Sequence, residues 1–205
     1  MDEGSAMRCL PAQLTLPFLE QREYLHGTTL FDALLEFVPP GASLCYTFSR
    51  IIRSNRIEIV QVNGNHEQGK ALSVTLTYHH DKDHGALGVI PLPPFSAVQR
   101  CAYKESLVTE RAHFFENGVE LEGPWPFSFV ATIVPLHKAL LARIINPATP
   151  GQWFFTRLEV TFLPQPSDSL MLMLDSVLGN KLAKTAVYGA GKHIGSIYFS
   201  WVEKR

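Results

Sequence analysis

A helix followed by a strand occurs twice in the chain, and this repeat limits the folds it can adopt. The apolar segment LFDALLEFV at 30–38 matches LHKALLARI at 136–144. YTFSRI at 46–51 matches WFFTRL at 153–158, with one residue added in the loop before it. A match that continues from a helix across a loop into a strand indicates an internal duplication.

The rest of the chain supports two halves, which we place at 1–95 and 96–205. The segment 70–80 alternates apolar and polar residues, which is the pattern of a half-buried strand. Asn117-Gly118 between apolar runs predicts a hairpin, and we interpret 79–95, which is rich in turn residues and prolines, as a connector. The predicted elements are helices at 30–38, 97–105 and 134–146, and strands at 43–52, 56–63, 70–80, 108–116, 152–163, 169–176, 181–188 and 194–202. For 108–116 the alternative is an extension of the helix at 97–105, and the Asn-Gly turn that follows favours the strand.

Size, charge and cysteine content exclude several classes of protein. The 205 residues are 46% hydrophobic, which is enough for a substantial core. A net charge of −1 provides no overall field for nucleic acid or an anionic membrane, and no apolar run is long enough to span a bilayer. Cys9, Cys45 and Cys101 fit neither a disulfide framework nor a zinc site. We therefore expect a cytoplasmic protein with reduced thiols.

The first helix is apolar on nearly all sides, yet it contains Asp32 and Glu36 one turn apart. Such a helix must be covered on most sides, and a curved antiparallel sheet wrapped around it would do so. Thr29 is placed to cap it, Pro39-Pro40-Gly41 ends it, and a His-Gly pair precedes it.

This His-Gly opening, the Pro-Gly stop and the strand YTFSR together resemble the hotdog fold of acyl-CoA thioesterases. In the second half, RLEVTFLPQPSDSLMLML followed by KTAVYGAGKHIGSIYF is similar to the hotdog stretch in which a strand leads through Phe and Pro into a turn. Two such halves resemble the double-hotdog thioesterases and dehydratases. The resemblance implies an α+β fold, a double hotdog with two central helices that are each wrapped by an antiparallel sheet.

The resemblance also implies where a site would lie. In that family the thioester enters beside the central helix, whose N-terminal N–H groups polarise the carbonyl, and a helix carboxylate acts as general base or nucleophile. The matching positions are His26, Gly27, Thr28 and Thr29 at the helix opening, with Asp32 or Glu36 as the acid.

The chain departs from the family pattern at three positions. Thr28 replaces the second glycine of a His-Gly-Gly opening, and Leu35 stands where single-hotdog thioesterases have the helix acid. Arg157 is the nearest match to a catalytic Asp of the double-hotdog thioesterases. An inactive or repurposed member of the family is therefore one interpretation.

Other candidate residues lie in the second half. His113-Phe114-Phe115 is similar to the His-Phe before the central helix of hotdog dehydratases, in which a His of one half meets an acid of the other half. Asp32 and His113 would be that pair, unless His113 is a partly exposed strand residue. Trp153, Phe155, Arg157 and Glu159 are expected on one strand face, either as a surface ion pair on an aromatic stripe or as the wall of an acyl or pantetheine slot.

Aligning the halves places Asp32 opposite Lys138, Glu36 opposite Ala142 and His26 opposite Thr132. This suggests one active site and one decayed copy, unless Lys138 simply faces solvent. The segment HHDKDH at 79–84 is interpreted as a solvated hairpin end, so we expect no metal and no cofactor.

The function expected from the resemblance is hydrolysis of an acyl thioester carried on coenzyme A or acyl carrier protein. The alternatives are a dehydratase or hydratase on the same fold, with His113 and Asp32 as acid and base, and a non-catalytic acyl-binding protein. We expect no nucleic acid or membrane partner, and a homodimer is compatible with the resemblance.

Overall fold

The structure of the protein is a computed structural model that describes residues 10–62, 72–95, 97–145 and 149–203. Its chain divides into two compact units, Met1–Ala102 and Tyr103–Arg205. The division falls after Ala102 rather than after residue 95, because the two-residue strand Arg100–Cys101 pairs in parallel with Phe18–Leu19 of the first unit. Each unit is α+β, with one main helix and an antiparallel sheet.

The described residues of the first unit form one helix and seven strands. Five strands form its sheet in the order β1-β4-β6-β5-β3, and each adjacent pair is antiparallel. β2 and β7 form the separate parallel pair. The elements are β1 (Ala12–Thr15), β2 (Phe18–Leu19), α1 (Gly27–Leu35), β3 (Ser43–Phe48), β4 (Arg56–Gln61), β5 (Val74–His80), β6 (Asp83–Pro91) and β7 (Arg100–Cys101).

The connector predicted at 79–95 is wrong, because its first two residues end strand β5 and residues 83–91 form strand β6. Its glycines suggested a loop, but they have packing roles in the sheet. A Cβ atom on Gly85 would collide with the ring of Tyr78, which is the cross-strand partner of Gly85. The predicted alternation of β5 is confirmed, since Val74 and Leu76 are buried while Thr75 and Thr77 are more exposed.

Helix α1 begins and ends three residues earlier than predicted. Its N-cap is His26, so the predicted capping role of Thr29 is wrong. The cause lies in the preceding residue: the Leu25 N–H donates to the carbonyl of Ile52 at 2.8 Å, which holds the chain extended up to the helix. Phe31 packs its ring against the edge of the Tyr46 ring in β3, with 5.3 Å between the centroids.

In the second unit, residues 103–145 and 149–203 form two helices and six strands. The sheet order is β10-β13-β12-β11-β9-β8, with all pairs antiparallel. The hairpin predicted at Asn117-Gly118 is confirmed by the pairing of β8 with β9. The elements are α2 (Ser106–Thr109), β8 (His113–Phe115), β9 (Gly118–Leu121), α3 (Phe129–Ile144), β10 (Gly151–Val160), β11 (Leu170–Leu178), β12 (Leu182–Gly189) and β13 (Lys192–Glu203).

Two helix predictions of the second half need correction. The helix predicted at 97–105 is wrong, since β7 occupies part of this segment and α2 begins only at Ser106. Helix α3 begins at Phe129, five residues before the predicted start, because the Ser128 hydroxyl accepts a hydrogen bond from the Ala131 N–H at 3.4 Å and caps the helix there. Cys9 and the predicted element ends at 63, 70–71 and 146 lie outside the described residues.

In each unit, one strand follows the main helix: β3 after α1 and β10 after α3. The strands that come after it pair in a different order in the two units. In the second unit β11, β12 and β13 pair successively along the chain, and β13 then pairs with β10. In the first unit β4 pairs with β6, so β5 lies between β6 and β3. The sequence repeat thus covers a helix and one strand, and a two-fold symmetry between α1 and α3 stays a prediction. None of the helices in the described segments is long and apolar enough to cross a membrane.

Candidate functional site

The N-terminus of α1 is buried. Gly27 and Thr28, the first two residues of the helix, are buried, and His26 is 9% exposed. The first N–H groups of any α-helix have no acceptor within the helix, and the side chain of His26 does not cap them. Backbone donors therefore gather at a shielded position in the first unit, where the resemblance places the thioester carbonyl.

The side chain of His26 bonds to the next turn instead of capping it. Its Nδ1 lies 2.8 Å from the hydroxyl oxygen of Thr28, and both groups are buried. The threonine hydroxyl can donate to this nitrogen or accept from it, depending on the tautomer of the ring. Thr28, which replaces a glycine of the family pattern, thus fixes the orientation of the imidazole.

Tyr46 is a residue of this region that the sequence analysis missed. Its hydroxyl donates to the carbonyl of Gly27 at 2.9 Å, and the whole side chain is buried. Burial raises the pKa of the Tyr46 phenol well above its usual value, and the negative charge of Asp32 raises it further. The phenol therefore stays protonated and keeps donating to α1. A buried tyrosine needs a hydrogen-bond partner for its hydroxyl. The inward position of Tyr46 on its strand was therefore the feature of the sequence that could have identified this contact.

The two acids of the first helix have different environments. Asp32 is half-buried and lies one turn after Thr28 on the same face of α1. Glu36 is exposed and is the C-cap of the helix, about 15 Å along the axis from His26. A helix beginning at residue 30, as predicted, would place Asp32 in its first turn, but α1 begins at Gly27, so Asp32 belongs to the second turn. Burial, rather than the helix dipole, now distinguishes Asp32 from Glu36.

His113 lies in the second unit on strand β8. It is exposed, its cross-strand partner is Glu120, and its ring stacks with that of Phe115 at 6.5 Å between centroids. The pairing of His113 with Asp32 stays a prediction, since these residues belong to different compact units.

The predicted shared face of strand β10 is wrong. Trp153 and Phe155 are buried, the first against Trp201 and the second near Phe199. The register of β10 against β13 shifts between Phe155 and Arg157, and this bulge reverses the alternation. As a result Arg157 is exposed on the other face, where its guanidinium pairs with Glu159. This arrangement matches the surface ion pair among the two interpretations, and a role of Trp153 and Phe155 in an acyl slot stays a prediction.

Lys138, which aligns with Asp32, does not simply face solvent. Its ammonium group contacts both carboxylate oxygens of Glu105 at 3.0–3.1 Å, and each side chain is only about a quarter exposed. This ion pair ties α3 to the turn that begins α2. The second helix therefore uses this position for packing rather than for an exposed charge.

A buried histidine of α3 was also missed. His137 is fully buried, and its Nε2 lies 2.7 Å from the hydroxyl oxygen of Thr185 on β12. Burial lowers the pKa of its imidazole to about 3, so the ring is neutral near pH 7. Its surroundings are those of a core residue. In the sequence, a single histidine within the apolar run 129–141 could have indicated this buried position.

The histidine-rich segment 79–84 spans the turn between β5 and β6, with Asp81 and Lys82 at its tip. Cross-strand pairing matches His79 with His84 and His80 with Asp83. Within the part of the chain that the structure describes, no group of three or more His, Cys, Asp or Glu side chains is arranged to hold a metal ion.

Comparison with known proteins gives matches among solved structures. No protein-family model and no curated protein matches the sequence. The tesB protein of Mycobacterium avium subspecies paratuberculosis is 16% identical, with 91% of each chain covered and a TM-score of 0.45. An acyl-ACP thioesterase from Bacteroides thetaiotaomicron VPI-5482 is 10% identical, with 93% of this chain and 96% of that chain covered and a TM-score of 0.46.

A bifunctional dehydratase-cyclase domain in ambruticin biosynthesis is 11% identical, with 88% of this chain and 83% of that chain covered and a TM-score of 0.47. The solved structures that this chain matches thus include a thioesterase and a dehydratase-cyclase domain. At 10–16% identity, these similarities assign no residue role to this chain.

Proposed function

We propose that the chain is a double-hotdog hydrolase of acyl thioesters, carried on coenzyme A or on an acyl carrier protein. In this proposal the two compact units are the two hotdog halves, and the site lies at the N-terminus of α1. The N–H groups of Gly27, Thr28 and Thr29 hold the thioester carbonyl oxygen as it becomes an oxyanion.

The proposal rests on one observation, which is that the α1 N-terminus is buried and lacks a cap from its own N-cap side chain. His26 bonds to the Thr28 hydroxyl, whereas in α3 the Ser128 hydroxyl accepts from a helix N–H. Backbone donors in a shielded position stabilise a developing negative charge more strongly than they would in water. Only α1 of the two main helices combines these donors with a nearby acid, Asp32.

In the proposed reaction Asp32 is the general base. Its carboxylate takes a proton from water, and the water oxygen attacks the carbonyl carbon of the thioester. The oxyanion then collapses, the C–S bond breaks, and the thiolate leaves and takes up the proton, giving a free acid and a free thiol. Tyr46 contributes by holding the Gly27 carbonyl, and hence the first turn of α1, in place.

Replacing Asp32 with Asn tests the proposal, with Glu36→Gln as the matched control on the same helix. We expect Asp32→Asn to lower thiol release from acyl-CoA by about 100-fold, the usual scale for losing a general base. Stability should stay the same or rise, because a half-buried charge is costly. Glu36→Gln should remain near the wild-type rate, because Glu36 is exposed at the far end of α1. Full turnover by Asp32→Asn would sink the assignment.

The nature of the products separates the proposal from its alternatives. Interconversion of enoyl and hydroxyacyl thioesters without thiol release, abolished by His113→Ala as well as by Asp32→Asn, would instead indicate a dehydratase. Ligand-dependent melting with no chemistry in either assay would indicate an acyl-binding protein.

A further inference from the structure

We infer that Tyr46 is a positioning residue of the proposed oxyanion site, which strengthens the Thr28 N–H as a hydrogen-bond donor by bonding to the carbonyl of the Gly27–Thr28 peptide. The inference rests on the proposed function and deepens it, because it assigns a role at that site to a side chain that acts through the backbone. It concerns the strength of one donor, and not only the position of the first turn of α1.

The contact that carries the inference is a buried hydrogen bond from a strand to the first residue of a helix. The Tyr46 hydroxyl on β3 donates to the Gly27 carbonyl at 2.9 Å, and Tyr46 is 0% exposed. The Tyr46 ring is held by edge contact with the Phe31 ring and by the pairing of β3 with β5. Because burial raises the pKa of the Tyr46 phenol, the hydroxyl stays protonated and remains the donor of this bond.

The accepting carbonyl and the Thr28 N–H belong to the same peptide group. Since the C–N bond of a peptide is conjugated, a donor at the oxygen draws electron density from the nitrogen and makes the N–H a stronger donor. Thr28 is the second residue of α1, so its N–H has no acceptor within the helix and is one of the three donors assigned to the oxyanion. The strengthened group is therefore a donor that the proposed reaction uses.

Helix α3 has a similar bond without this consequence. The Tyr103 hydroxyl donates to the Ala131 carbonyl at 2.7 Å, and Tyr103 is 3% exposed. The N–H of that peptide belongs to Thr132, and it already donates to the Ser128 carbonyl at 2.9 Å within the helix. The Tyr103 bond therefore reinforces a helix hydrogen bond, whereas the Tyr46 bond acts on a donor that the helix does not use. Tyr103→Phe removes a buried phenol hydrogen bond of the same kind and is the matched control.

Isotope labelling makes this peptide visible by NMR without turnover. Gly-Thr occurs only once in the sequence, at 27–28. Glycine labelled with ¹³C at the carbonyl and threonine labelled with ¹⁵N therefore give one carbonyl–nitrogen correlation signal, that of the Gly27–Thr28 peptide. We expect Tyr46→Phe to move the Thr28 proton and nitrogen signals to lower chemical shift, because the N–H becomes less polarised. Tyr103→Phe should leave both signals in place.

The size of the kinetic effect follows from the strength of one donor. Losing an oxyanion donor outright lowers kcat by about 100- to 1,000-fold, and one hydrogen bond strengthens the next by about 10–30%. That share of the donor's effect corresponds to a fall of about 2- to 8-fold in kcat for thiol release by Tyr46→Phe. KM should change little, because the donor acts on the charge that develops in the transition state. Tyr103→Phe should keep the wild-type kcat.

Ring-fluorinated tyrosine at position 46 separates donor strength from a bond that only holds α1 in place. Fluorine on the ring makes the phenol a stronger hydrogen-bond donor, while the hydroxyl keeps its position. We expect this substitution to move the Thr28 signals in the direction opposite to Tyr46→Phe and to raise kcat for thiol release. Wild-type values of both readouts would show that the bond is only structural, and would overturn the inference.

These readouts also separate a failure of the inference from a failure of the proposed function. If the Thr28 signals respond to Tyr46→Phe but even the wild type releases no thiol from acyl-CoA, the proposed function fails and the strengthened donor stands. If thiol is released while Tyr46→Phe leaves both kcat and the Thr28 signals unchanged, the inference is overturned and the proposed function stands. A fall in kcat as large in Tyr103→Phe as in Tyr46→Phe would likewise overturn it, because the loss of any buried phenol bond would then have the same effect.

Discussion

Acid should destabilise the second unit through His137, and His137→Gln should remove that part of the pH dependence. The His137 imidazole is fully buried on α3, with Nε2 bonded to Thr185 at 2.7 Å and the ring in edge contact with Phe199 at 4.5 Å. Its other nitrogen, Nδ1, has no hydrogen-bond partner in the described part of the chain. A proton on this ring would therefore be a buried charge without compensation, which is why burial lowers its pKa to about 3.

The magnitude follows from the difference in pKa between the folded and unfolded states. In the unfolded chain the His137 pKa returns to about 6.5, so below that pH the unfolded state binds a proton that the folded state excludes. The free energy of unfolding should then fall by about 1.4 kcal/mol per pH unit, until the pH approaches the folded pKa. From about pH 6.5 to about pH 4.5 the expected loss is roughly 2–3 kcal/mol. Above about pH 6.5 the residue is neutral in both states and adds no pH dependence.

Tryptophan fluorescence during urea unfolding at several pH values measures this effect. All three tryptophans, Trp125, Trp153 and Trp201, lie in the same compact unit as His137, so the signal reports the relevant unit. His137→Gln should be less stable near pH 7.5 by about 1–3 kcal/mol, the cost of disturbing a buried hydrogen bond. That difference should shrink, and can reverse, as the pH falls, because glutamine does not titrate.

The contribution of carboxylates to acid unfolding is the same in both proteins and cancels in the difference. His193→Gln is the control, since His193 is exposed on β13 in the same unit, and it should keep the wild-type slope. If the wild type and His137→Gln lose stability in parallel between about pH 6.5 and pH 4.5, the reasoning from burial is refuted.

Two further substitutions test contacts that the sequence did not reveal. Tyr46→Phe should lower the free energy of unfolding by about 1 kcal/mol, because it removes the buried hydrogen bond to the Gly27 carbonyl; circular dichroism during urea unfolding measures this, and an unchanged midpoint would show that the bond adds no stability. Lys138→Met should change stability by less than about 1 kcal/mol in the tryptophan assay, because the pair with Glu105 is partly exposed; a loss well above that would mean that this pair is essential for docking α2.

Short-range patterns in the sequence determined the elements whose signals are local. The alternation in 70–80, the leucine-rich segments 30–38 and 136–144, and the Asn117-Gly118 turn each predicted an element that the structure contains. In these cases residues close together in the sequence determine which element forms, because the period of a helix or strand and the geometry of a tight turn depend on a few neighbouring positions. The resemblance to thioesterases and dehydratases came from such segments as well.

Tertiary structure decided the features that depend on partners distant in the sequence. Helix α1 begins at Gly27 because Leu25 bonds to Ile52, and the Arg157 side chain changes face because β10 bulges where it pairs with β13. The strand order of the first unit and the role of Lys138 likewise depend on residues far along the chain. Periodicity specifies which residues share a face only while the period is unbroken. Bulges, helix starts and buried polar contacts are fixed when separate segments pack, and their energies come from groups that no local window of the sequence contains.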